Sequence, residues 1–134
     1  MKAIRRVDDF FVSRPLQEAA LELLTAPSWE RHVRKLGAEL RERCVKAAAE
    51  LARECPEWTV ARLPSGGLHL WVRLPEGSDA NALARAARER GVVVGAGERF
   101  FAAEPAGPFL RLGFAATADL AELAEGIRRL GRNV

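Results

Sequence analysis

Few residues in this 134-residue chain could carry covalent or metal chemistry: two cysteines, two histidines, three lysines and four serines. His32 and His69 do not pair with Cys44 or Cys55 at a metal-ligand spacing, which argues against zinc. The cysteines lie eleven residues apart on or beside one predicted helix, roughly 16 Å at 1.5 Å per residue, too far for a disulfide. Free thiols fit a reducing compartment, and MKAIRRVDDFF lacks the apolar run and cleavage site of a secretory signal, so the expected location is cytoplasmic. Ser13, Ser28, Ser65 and Ser78 fall at predicted caps or turns, none in a G-x-S-x-G elbow. Gly95-Ala96-Gly97 lacks the third glycine of a dinucleotide fingerprint and reads as a tight turn. The adjacent Asp8 and Asp9 read as solvated carboxylates. No stretch approaches the roughly 18 apolar residues of a membrane span, and no repeat is visible.

What is present suits one globular domain, with 49% hydrophobic and 29% charged residues. The net charge of +3, scattered along the chain, does not mark a nucleic-acid binder. Residues 1–14 show no sustained period and are read as a leader from an interdomain or dimer-interface segment; 15–134 form the domain. Leu16, Ala19, Ala20, Leu23 and Leu24 predict a short helix, broken at Thr25-Ala26-Pro27-Ser28. Ser28 is the expected cap of a long helix with the seam Trp29, Val33, Leu36, Leu40, Cys44, Ala47 and Leu51, ending near Cys55-Pro56. A hairpin follows: Trp58–Leu63, the turn Pro64-Ser65-Gly66-Gly67, and Leu68–Leu74. Ser78 or Asp79 caps a third helix closed by Gly91, and Val92–Val94 reads as a short buried strand. After the stretch from Gly95 to Pro108, a strand at Phe109–Phe114 precedes a last helix capped by Thr117 and ended by Gly131.

This order predicts an α/β sandwich, a small mixed or antiparallel sheet with its helices mainly on one face. Alternation along the strands places Leu68, Leu70, Val72 and Leu74, with Leu110, Leu112 and Phe114, on the core side. His69, Trp71, Arg73, Phe109, Arg111 and Gly113 then share the reverse face, where the aromatic residues among arginines suggest a cover. A strand-borne arginine is a rigid two-pronged donor for carboxylate or phosphate. Two binding readings rest on this face. Trp71, His69, Phe109, Arg73 and Arg111 could stack single-stranded RNA, or the face could be a homodimer contact.

The motifs PLQEAALELL, PSGGLHLWVRLPEGSDA, RGVVVGAGERF, FLRLGFA and ELAEGIRRL, in this order and spacing, resemble the C-terminal small domain of PLP-dependent aminotransferases of fold type I. The GGLHLW strand is most similar to the aminotransferase-like part of MocR regulators of the GntR family; the resemblance spans about residues 13 to 131. It implies that Arg111 binds an amino-acid α-carboxylate, with Ser13 and Arg14 as secondary substrate-site candidates near a dimer interface. The family's glycine-x-x-phenylalanine turn falls on Gly97 to Phe100, with Ala96 where a proline is usual. It also implies that the PLP-bearing lysine belongs to a large domain that would precede residue 1. Lys2, Lys35 and Lys46 match no such context, so this chain alone is expected to hold no PLP and to be catalytically inert. In a MocR parent, DNA would be bound only through a further N-terminal domain.

Overall fold

A computed structural model describes residues 13–60, 62–103 and 107–132. The expected leader therefore lies almost wholly outside the described residues. The chain divides at Leu36/Gly37 into two units.

In the first unit, helix α1 (Arg14–Thr25) ends at Ala26, whose extended backbone (φ −66°, ψ 139°) reflects the bar a proline sets against helical geometry in the preceding residue. Helix α2 (Pro27–Glu54) then restarts on Pro27 itself, since the first helical position needs no backbone N–H. Ser28 thus lies inside the first turn and is not the cap that the sequence suggests. No residue of α1 is buried.

The second unit holds a four-stranded sheet of order β1-β2-β4-β3, antiparallel throughout: β1 (Thr59–Val60), β2 (His69–Arg73), β3 (Gly95–Ala96) and β4 (Phe109–Gly113). Among the described residues β1 is far shorter than the expected Trp58–Leu63. β2 and β4 form its centre, in a register that sets Leu70 against Leu112, Trp71 against Arg111 and Val72 against Leu110. One face is covered by the C-terminal half of α2 (Cys44, Ala47, Leu51), by α3 (Ala80–Glu89) through Ala87, and by α4 (Leu120–Gly131) through Leu123, Ile127 and Leu130. Leu70, Val72 and Leu110 are wholly buried there and Phe114 nearly so. Fully burying a side chain of this kind contributes about 1.5–3 kcal/mol, so this face anchors the sheet. Leu68 departs from the expected pattern: ladder pairing begins at His69, and Leu68 is 47% exposed although its carbonyl still accepts from the Phe114 N–H.

Two further expectations are corrected. Val92–Val94 is not a strand, and Val93 lies exposed. Gly91 adopts the left-handed φ of 77°, and the Gly91 and Val92 amides donate back to the carbonyls of Arg88 and Ala87 at 3.0 and 2.9 Å. Val92 thus uses its donor to close α3, and ladder pairing starts only at Gly95. Thr117 does not cap α4; Asp119 does, accepting from the Glu122 N–H at 2.8 Å while Glu122 accepts from the Ala118 N–H. Thr117 instead receives Arg43, whose Nη1 donates to its carbonyl and hydroxyl oxygens, both at 2.9 Å.

Candidate functional site

The face of the sheet opposite the core carries the residues that the sequence pattern groups as site candidates. β2 contributes His69, Trp71 and Arg73, and β4 contributes Phe109, Arg111 and Gly113. A 3₁₀ turn at Gly97–Phe100 adds Phe100, followed by Phe101. Trp71 stacks on Phe109 at 5.3 Å between ring centroids and 16° between planes, and meets Phe101 and Phe100 edge-on at 5.5 and 6.2 Å.

Arg111 stands beside this aromatic group and is fixed from two directions. Its Cζ lies 4.4 Å from the centre of the Phe100 ring, a cation–π contact. Its Nη2 donates to His69 Nε2 at 2.8 Å, which ties down one end of the guanidinium. Burial, and secondarily the Arg111 charge, hold the His69 pKa below its ordinary value, which keeps the ring a neutral acceptor. Among the described residues no carboxylate contacts Arg111. Arg73, on the same face, turns away to Glu76 at 2.7 Å.

Two glycines make this geometry sterically possible. Gly95 faces Arg111 in register, and a Cβ there would lie 3.0 Å from the Phe100 ring. At Gly97 a Cβ would lie 2.7 Å from Phe109 Cβ and 2.8 Å from its carbonyl oxygen. The 3₁₀ turn reaches β4 this closely only because residue 97 has no side chain.

The structure brings His69, Trp71, Phe109 and Arg111 together, as strand alternation predicts. It adds Phe100 and Phe101, which the sequence reading placed in a turn without a role at the site. Ser13 and Arg14 belong to the first unit. Ser13 precedes α1 without a side-chain capping bond, and Arg14 Nε pairs with Glu18 at 3.2 Å in an exposed, one-turn ion pair. Among the described residues no group of three or more His, Cys, Asp or Glu could hold a metal, and no helix is long and apolar enough to cross a membrane.

Comparison with solved structures shows what the fold resembles. The α-aminoadipate aminotransferase of Thermus thermophilus, complexed with N-(5'-phosphopyridoxyl)-L-leucine, matches with a TM-score of 0.86 and 32% identity, covering 98% of this chain and 33% of that one. The kynurenine aminotransferase of Pyrococcus horikoshii matches with a TM-score of 0.82 and 27% identity, covering 98% and 32%. The fold is that of the C-terminal small domain of PLP-dependent aminotransferases. Among curated sequences, the 2-aminoadipate transaminase of T. thermophilus is 33% identical over 117 residues, 87% of this chain and 29% of that protein. The HTH-type transcriptional regulator YdfD of Bacillus subtilis is 27% identical over 128 residues, 96% of this chain and 26% of that protein. No family profile matches. Over most of its length the chain is similar to the small-domain part of PLP-dependent aminotransferases and of HTH-type regulators, and it spans about a quarter to a third of the length of the relatives it matches.

Proposed function

We propose that these 134 residues are the small domain of a larger PLP-dependent protein, an aminotransferase or a MocR-type regulator, in which Arg111 binds the α-carboxylate of an amino acid. One observation carries this reading: Arg111 is held by a neutral imidazole and a phenyl ring, with no carboxylate partner among the described residues. Its orientation is fixed while its charge stays uncompensated, which suits an incoming anion. The pyridoxyl-leucine adduct in the Thermus relative carries an α-carboxylate, the group this arginine would meet.

The cofactor itself does not fit this face. PLP needs an amine for its imine and an acid beside its ring nitrogen, and the reverse-face positions of β2 and β4 offer neither. Lys46 is engaged 2.7 Å from Glu50 on α2. PLP would therefore be held by a large domain outside these residues, and this chain alone would be inert. Within the same reading the parent is a cytoplasmic homodimer, Ser13 and Arg14 are secondary substrate-site candidates, and a regulator would contact DNA through another domain. The RNA-platform alternative is less well supported, because Trp71 packs on three phenylalanines of its own chain.

The test uses the polypeptide encoded when the reading frame upstream of Met1 is included. A hydrogen bond to a charged group contributes about 1.5–3 kcal/mol, so Arg111→Ala should weaken amino-acid binding by about tenfold or more while the decarboxylated amine binds as before. Unchanged amino-acid affinity removes Arg111 from the site. An upstream sequence that encodes no PLP-binding domain overturns the parent assignment.

A further inference from the structure

We propose that His69 is a positioning residue for Arg111: its uncharged ring, accepting at Nε2, fixes the guanidinium so that its other N–H groups meet a carboxylate. This rests on the carboxylate-binding reading of Arg111 and adds a second residue to it.

The argument starts from the strand register. His69 faces Gly113 directly across the β2–β4 ladder, and Arg111 lies two residues further along β4 on the same face. A Cβ at Gly113 would be 3.7 Å from His69 Cδ2, so the imidazole lies across β4, over a position that presents no side chain. There its Nε2 comes within 2.8 Å of Arg111 Nη2. A guanidinium can only donate, so Nε2 is the unprotonated nitrogen and the ring proton sits on Nδ1. This bond uses one of the five guanidinium N–H groups and leaves a two-pronged edge for a ligand.

The cation–π contact with Phe100 does not single out a particular N–H; the hydrogen bond to the imidazole does. A protonated ring could not accept this bond and would set two cations side by side, in keeping with the depressed His69 pKa. Two neighbouring charges are otherwise engaged: Arg73, on the same strand, with Glu76, and Glu98, on the 3₁₀ turn, with Asn81; Arg99, on that turn, adds a cation beside Phe100. A phenylalanine at 69 would fill the space without accepting. A glutamine would place an acceptor near the position of Nε2 without titrating.

The experiment uses the full-length PLP-loaded protein, the tightest-binding member of a panel of L-amino acids, and the amine formed by its decarboxylation. His69→Phe should weaken the amino acid about tenfold, the scale of one hydrogen bond to a charged group, and leave the amine unchanged. His69→Gln should restore amino-acid binding to within about threefold of the native protein. The NMR-measured pKa of His69 should rise toward the ordinary value in Arg111→Ala. Equal loss of amino acid and amine in His69→Phe would mean a structural role and overturn the proposal. So would a His69 pKa indifferent to Arg111→Ala, or Arg111→Ala weakening the amino acid while His69→Phe does not. Arg111→Ala without effect on the amino acid would instead overturn the carboxylate reading itself.

Discussion

Replacing Gly97 by alanine should strike fold and site together, because the 3₁₀ turn that carries Phe100 begins there. An alanine Cβ would stand 2.7 Å from Phe109 Cβ and 2.8 Å from the Phe109 carbonyl oxygen, against 3.4 Å or more for ordinary contact. The obstacle is partly backbone, and Phe109 is paired with Arg73 in the central ladder, so it cannot yield without disturbing that register. The turn must instead lift by several tenths of an ångström. Overpacking of this kind costs about 1–3 kcal/mol. With a urea slope of about 2 kcal/mol per molar, a loss of about 2 kcal/mol moves the unfolding midpoint down by about 1 M, measured by far-UV circular dichroism. The near-UV signal of Trp71 should change as well, since Phe100 and Phe101 lie against it. Gly66→Ala is the matched control: a Cβ there meets nothing within 4 Å, so its midpoint should move by no more than about 0.5 kcal/mol equivalent. Equal midpoints for the two variants would refute the close-approach argument.

Two other perturbations probe the scaffold. Asp79→Ala removes the carboxylate that accepts from the Asn81 and Ala82 amides at the start of α3, both at 2.9 Å, and should cost about 1 kcal/mol in the same urea titration. Glu50, buried on α2 between Lys46 and Arg53, has its pKa held below the ordinary carboxylate value by hydrogen bonds from those two partners. Its ionised form is therefore favoured by folding. The resulting stability is present above the unfolded-state pKa and lost as pH falls through the lowered folded one. Glu50→Gln should accordingly shrink the drop in stability between about pH 7 and pH 3; an unchanged drop would exclude Glu50 as a contributor.

The parts of the fold legible in the sequence were those set by periodicity. Alternation along HLWVR and FLRLG sorts core from reverse face because two-residue periodicity is a property of the extended chain itself. It therefore puts His69 and Trp71 on one face of β2 and Arg111 off the core face of β4, while the β2–β4 pairing brings them side by side. What escaped was decided by competition for single hydrogen bonds. Val92–Val94 has strand-forming residues, yet the Val92 amide goes to the Ala87 carbonyl and closes a helix. Thr117 and Asp119 compete as caps, and Asp119 wins because it and Glu122 have the spacing of a reciprocal cap, a signal present in the sequence. Phe100 is a different case. Its place over Arg111 depends on how closely Gly97 approaches β4, a three-dimensional fact with no periodic signature.

Arg111 differs in its partners from the arginines that form ion pairs. Arg14, Arg34, Arg73, Arg128 and Arg129 each meet a glutamate three or four residues away, largely at the surface, where such pairs contribute about 0.2–1 kcal/mol. Those contacts pair each charge with one of opposite sign, as a solvated face requires. Arg111 is half-buried, and its partners are an imidazole nitrogen and a phenyl ring, which orient a cation without cancelling it. Partial withdrawal from water without a counter-ion is unfavourable, and an anion that arrives in line with the exposed N–H groups relieves that cost on binding. On the proposed carboxylate-binding reading, preorganisation would favour the ligand twice: little side-chain freedom is left to lose, and the charge is not already neutralised by a neighbour. A guanidinium already paired with a glutamate would have to break that pair first, so the absence of an acid beside Arg111, among the described residues, matters as much as the presence of His69.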